Sequence, residues 1–177
     1  MDSSEVLRLV QRCLPSFQQA GLPPLQVQDI ADVKHKVVAS LWAGMGAVFE
    51  ITITSKTGRS PVAIIAKRVE LPAHCSSIGD QRKKDSYAVE AAFYSQGHAQ
   101  RLIAAAACVP YPLFIDCSRC PCVTICMSRL DGLSSRRGGS AALVHWLATL
   151  HATYWGNERA DAAVATGLQA QGCGWRL

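Results

Sequence analysis

Apolar positions recur at two different periods along this chain, and the changes of period divide it into elements. Near the N-terminus Val6, Leu9, Val10, Cys13 and Leu14 stand at helical spacing, with Ser3 or Ser4 able to cap the first turn and Pro15 able to end the last. That pattern predicts an amphipathic helix of about three turns. From Gln18 to Asp32 the chain is rich in Gln, Pro and Gly, which predicts a connector with room for one short strand. Short β-branched runs near Val37 to Leu41, Val48 to Thr54 and Pro61 to Val69, separated by turn residues, predict an antiparallel meander.

Leu71 to Lys84 holds Pro, Gly, Ser and charges without an apolar period and predicts a mobile loop. Asp85 or Ser86 can cap the next helix and Gly97 can end it. Ala99 to Cys108 extends as a second helical piece, and Pro110 and Pro112 lead into a hairpin of Leu113 to Asp116 and Val123 to Met127. Ser134 to Gly139 reads as a polar, flexible bridge. Behind a Ser140 cap, Leu143, Leu147, Leu150 and Tyr154 share one face of a closing helix, whose apolar surface offers a docking face for a protein partner. From Asn157 the apolar period fades, which predicts a fraying tail. The order of elements predicts an α+β fold with about five antiparallel strands and one helix between the third and fourth.

At 177 residues, 49% apolar and 18% charged, the chain can bury a sizeable core and is not of disordered composition. The net charge of +5 is scattered over Lys34/Lys36, Lys67/Arg68, Arg82 to Lys84 and Arg136/Arg137, small clusters that read as solvated loops and not as a nucleic-acid face. It also suits an anionic ligand. The stretch from Leu102 to Ile115 is broken by prolines and falls short of the ~20 residues a membrane span needs. Met1 to Glu5 lacks the basic and apolar regions of a signal peptide, so a reducing, cytoplasmic location is the expectation. The eight cysteines are then free thiols or metal ligands before they are disulfides.

Three pieces carry candidate chemistry. Gly44 and Gly46, with Met45 between them, form a turn between two apolar runs, and glycines let backbone amides approach phosphates closely. Lys67 is the one lysine of the largely apolar run Val62 to Val69, and Glu90 is the inward-capable acid of the following helix. A lysine rising from a strand can reach nucleotide phosphates, and a helix glutamate can fix its direction. The bland alternatives stay open: a hairpin at the glycines, a surface lysine at a strand end and a solvated glutamate. Cys117, Cys120, Cys122 and Cys126 have spacings at which thiolates can bind zinc, against the alternative of small apolar strand residues. His151, Tyr154 and Trp155 read as packing or hydrogen-bonding residues in preference to acid-base groups.

Taken in order, Leu41 to Ile51, Val62 to Val69, Asp85 to Tyr94 and Leu150 to Gly156 resemble the aminoglycoside phosphotransferase and choline-kinase-like family, small-molecule kinases with a protein-kinase-like fold. The resemblance covers about residues 35 to 156 and rests on order and spacing, since each motif is short. It implies an N-terminal helix and connector over residues 1–33, an ATP-binding small lobe over 34–132, the start of a large lobe over 133–156 and a divergent tail over 157–177. It implies that Gly44, Gly46, Lys67 and Glu90 serve the phosphates of ATP, and that Met127 and Arg129 stand where the lobes join and backbone groups meet adenine. Many relatives have an acidic residue where this chain has Arg129.

The family's catalytic aspartate sits in a His-Gly-Asp type loop, with asparagine and a further aspartate holding magnesium. After Trp155 the acidic residues are Glu158 and Asp161, which match neither motif. The expectation is a truncated small-molecule kinase, without significant turnover and without magnesium ligands, whose hydroxyl-bearing acceptor binds only in a full-length form. A non-catalytic nucleotide- or partner-binding module, and a zinc-stabilised interaction domain, are the alternative readings.

Overall fold

The computed structural model describes residues 1–41, 44–71, 77–118, 122–131 and 140–170. Its first helix, α1 (Ser3–Cys13), starts under Asp2, whose carboxylate accepts the Glu5 amide at 2.8 Å and the Ser4 hydroxyl at 2.7 Å. Asp2 is therefore the cap that Ser3 or Ser4 was expected to supply; both serines already belong to the helix. Val6, Val10 and Cys13 are fully buried on one face. Pro15 ends the α-helix as expected, inside a single 3-10 turn, Leu14–Ser16, that delivers Phe17 into the same core.

A second 3-10 turn, Val27–Asp29, leads into β1 (Ile30–Ser40), which begins well before the expected strand. Asp32, Lys34 and Lys36 masked it, because charged residues have low strand propensity although they suit an edge strand. The remaining strands are β2 (Gly46–Ser55), β3 (Val62–Glu70), β4 (Pro112–Asp116) and β5 (Cys122–Ser128). They form one five-stranded antiparallel sheet in the order β1-β2-β3-β5-β4, so β5 is inserted between β3 and its own hairpin partner. Phe49, Ile51 and Ile53 of β2, Ile64 and Ala66 of β3, Leu113 and Cys126 meet the buried face of α1. Each buried Ile or Phe contributes about 1.5–3 kcal/mol of transfer free energy. Residues 1–74 and 111–129 make up this first compact unit, so the N-terminal helix is a layer of the sheet's core and not a separate segment.

The second unit, residues 75–110 and 130–177, holds α2 (Ile78–Ser95), α3 (His98–Ala104), α4 (Ser140–Thr153) and α5 (Asn157–Ala165). Residues 78–84, expected as loop, are the first two turns of α2. Ser77 caps them through a 3.1 Å bond from the Asp80 amide, and Asp80–Lys83 and Gln81–Asp85 contacts brace the exposed surface. A helix end held by caps and side-chain pairs leaves no apolar period. Gly97 closes α2 in the left-handed region at φ +80°, as expected. The second helical piece expected over Ala99 to Cys108 is α3, so two helices separate the third and fourth strands.

Trp146, Leu150 and Tyr154 pack with Ala99, Leu102, Ala107 and Val109. The inward face of α4 is therefore rotated from the expected one: Leu143 is 61% exposed and Leu147 40%, and Trp155, expected in the core, is 76% exposed. The expected fraying tail contains α5, which buries Ala163. The bridge expected at Ser134 to Gly139 lies outside the described residues. No helix among the described residues is long and apolar enough to cross a membrane.

Candidate functional site

Strand alternation sorts the sheet of the first unit into two faces. Phe49, Ile51, Ile64, Ala66 and Cys126 belong to the face under α1, so Val48, Glu50, Ile65, Lys67, Ile125 and Met127 point to the other. Register then lines them up in two rows: Val48, Lys67 and Ile125 stand opposite one another, and next to them Lys36, Glu50, Ile65 and Met127. Lys67 is half-buried on the central strand, away from either strand end. An ammonium in that position has apolar neighbours in register on both sides, and these pack along its stem.

Gly46 stands on β2, two residues from Val48 and one strand across from the Lys67 row. Its φ is +122°, and a Cβ added there would lie 2.0 Å from the Arg68 carbonyl oxygen. The strand crossing itself thus demands glycine. Gly44, at φ +69°, has open space where its Cβ would be. The turn is braced by the Gly44 amide donating to the Leu41 carbonyl at 3.2 Å and the Leu41 amide donating to the Gly46 carbonyl at 2.9 Å. The hairpin reading of these glycines is therefore a structural fact, with close backbone approach to a ligand left as an additional use.

Glu50 organises the second row. Its carboxylate meets Lys36 Nζ at 2.8 Å and Arg129 Nη1 at 3.4 Å. The Lys36 hydrogen bond above all, then the charges of Lys36 and Arg129, hold its carboxyl below the ordinary 4.5. Arg129 follows β5 directly and is joined to the sheet by this pair; Ser128 before it donates its amide to the Tyr111 carbonyl and accepts the Tyr111 amide on its hydroxyl, both at 2.8 Å. Met127 is 8% exposed. The strand exit is consequently a fixed edge, apolar at Met127 and basic at Arg129.

Glu90 belongs to the second unit. It is half-buried on α2, and its charge adds to burial in raising the hydroxyl pKa of Tyr87 and Tyr94, one turn before and one turn after it. Lys67, its expected partner, belongs to the first unit.

The cysteine reading is corrected by strand geometry. Cys122 and Cys126 lie on one strand, four residues and so about 13 Å apart. Cys126 is fully buried beside Cys13, whose thiol it pushes up in pKa by accepting its hydrogen bond, and Cys117 is exposed. One zinc ion cannot span that strand separation. Cys120 lies outside the described residues, and among the described residues no three His, Cys, Asp or Glu side chains gather as metal ligands.

Sequence reasoning weighed His151 and missed His98. His151 is exposed beside an open recess of about 490 Å³ that Tyr154, Trp155 and Asn157 also line. The buried histidine is His98, 1% exposed, bonded at 3.0 Å to both the Tyr154 hydroxyl and the Thr166 hydroxyl. Its neighbours in sequence, Gly97 and Ala99, carried no polar signal that could have pointed to it. A second recess of about 370 Å³, beside Met1, Phe49 and Arg68, opens on the α1 face of the sheet and not on the Lys67 face. There Arg68 is bound to Glu5 at 2.6 Å and Glu70 at 3.0 Å.

Neither a scan against protein-family models nor searches of curated proteins and of solved structures gave a match to this chain.

Proposed function

We propose that this chain binds ATP on the Lys67 face of its sheet, as the small lobe of a kinase-like small-molecule phosphotransferase. The observation that carries the proposal is the half-buried position of Lys67 on the central strand, in register with Val48 and Ile125 and beside the Gly46 turn. In this reading the ammonium neutralises nucleotide phosphates and the turn amides lie along the phosphate chain. Ile65 and Met127 supply an apolar bed for adenine next to backbone groups from Arg129 onward. Glu158 and Asp161 are exposed on α5, and among the described residues no three His, Cys, Asp or Glu side chains gather as metal ligands, so the reading includes no magnesium step. The proposed activity is therefore nucleotide binding.

The test is calorimetric titration of the chain with ATP. Lys67→Ala should weaken binding about 10- to 100-fold, the range expected for a lost charged hydrogen bond. Lys56→Ala, whose ammonium bonds the Gln28 carbonyl at 2.8 Å, should leave it unchanged. Absence of binding at millimolar ATP, or equal affinities for wild type and Lys67→Ala, would overturn the proposal.

A partner-binding role is favoured by a separate observation, the exposure of Leu143 and Val144 at 61% and 62% on α4. If that face pairs with a second copy, light scattering should show concentration-dependent association that Leu143→Glu abolishes. A chain that stays monomeric throughout counts against self-pairing.

A further inference from the structure

We propose that His98 is a pH-sensitive latch: its neutral imidazole ties α3 to the ends of α4 and α5 through both ring nitrogens, and protonation releases those ends. One tautomer places every proton of this cluster in a hydrogen bond. Thr166 Oγ1 lies 3.0 Å from the Ala162 and Ala163 carbonyls and has a single proton to give them. With that proton given to a carbonyl, the hydroxyl accepts from His98 Nε2, also at 3.0 Å, and in the proposed latch the ring proton accordingly sits on Nε2. Nδ1 is then a bare acceptor, filled by the Tyr154 O–H at 3.0 Å. The ring is satisfied at both ends while neutral.

A second proton would arrive at Nδ1 and face the Tyr154 oxygen. That hydroxyl would have to turn and accept, leaving its own proton to find a new acceptor. The cation would also be 1% exposed, where water cannot solvate it. The groups facing it from every side offer little compensation. From α2 comes the Phe93 ring, stacked at 6.3 Å, with Tyr94 set edge-on against it. From α3 comes Arg101, a like charge, which also sits 6.0 Å over the Tyr154 ring. The end of α4 presents the Tyr154 hydroxyl and the end of α5 the Thr166 hydroxyl. Burial first, and Arg101 second, accordingly depress the His98 pKa from its ordinary 6.5.

The direction follows from linkage. Between the depressed folded value and 6.5 the opened form binds more protons than the closed one, so closure is complete above 6.5 and weakens as pH falls below it. Each unit of depression makes opening about tenfold easier once pH has fallen through the folded value. Released first would be the Tyr154 end of α4 and the Thr166 end of α5. Trp146 holds the middle of α4 by a separate bond to the Cys108 carbonyl at 3.1 Å.

The test combines ring-nitrogen NMR with amide exchange on the full chain. The expected result is an Nε2-protonated His98 at pH 7.5, a titration midpoint below 6.5, and exchange over residues 157–166 that accelerates toward pH 5.5 after correction for intrinsic rates. His98→Gln replaces the ring by an amide that does not titrate, and its exchange should show no such acid step. An Nδ1 tautomer, a midpoint at or above 6.5, or an unchanged acid step in His98→Gln would overturn the latch. Should His98→Gln fail to fold, the tautomer and midpoint of the wild type decide the matter alone.

Discussion

Two glycines on either side of Met45 in one turn have unequal roles. At Gly46 both the positive φ and the 2.0 Å approach to the Arg68 carbonyl exclude a side chain, whereas at Gly44 only the φ does. Gly44→Ala should therefore cost about 1–2 kcal/mol, the usual left-handed penalty, and Gly46→Ala clearly more, because the strand pair must also shift. Urea denaturation distinguishes the two, and equal losses would contradict the close approach. Glu50 makes a residue-scale prediction about pH. Its carboxyl is held below 4.5 in the folded chain, so its stabilising effect is present above 4.5 and is lost as pH falls through the folded value. Unfolding midpoints measured from pH 6 to pH 3 should fall less steeply in Glu50→Gln than in wild type.

Elements in the second unit depend on how they begin and end. The Ser77 hydroxyl is the only capping side chain of α2 given by the described residues, so Ser77→Ala should destabilise that unit by about 1 kcal/mol, read from urea unfolding followed by circular dichroism. At the other end of the chain, α5 closes with Gly167 donating to the Val164 carbonyl and Leu168 donating to the Ala163 carbonyl, the paired bonds of a Schellman motif. Thr166-Gly167-Leu168 was thus a legible stop signal for a helix that apolar periodicity alone did not announce. Gly167→Ala meets φ +100° and a contact of 2.8 Å with the Ala92 Cβ. It should cost about 1–2 kcal/mol, with protection lost first in residues 157–166. Helix α1 and the β4–β5 hairpin were readable because burial imposed periods of 3.6 and 2 on their sequences. The start of α2 was not, since its first turns are held by caps and side-chain pairs.

On the scale of the molecule, the first unit is built from two separated stretches of chain. Strand β5 supplies the whole second edge of β3, from Ile64–Ser128 to Glu70–Cys122. A fragment of residues 1–74 would leave that edge unpaired along an apolar strand, so it should associate or precipitate where the full chain does not. Sedimentation of both at equal concentration checks this, and a folded monomeric fragment would show that the sheet closes without β5.

The sequence by itself determined the α+β class, four of the five strands nearly in place, and the isolation of one lysine in an apolar run, because local periodicity and turn residues are properties of neighbouring positions. It also supplied the kinase-like reading, which remains a proposal resting on the order of Gly46, Lys67 and Glu90. Only the tertiary structure decided that Lys67 shares a row with Val48 and Ile125, that Glu50 is held by Lys36 and Arg129, that Cys126 belongs to the core with Cys13, and that His98 and not His151 is the buried histidine. Those facts join positions far apart in the chain. Strand order, helix rotation and burial fix them, and no window of neighbouring residues contains that information.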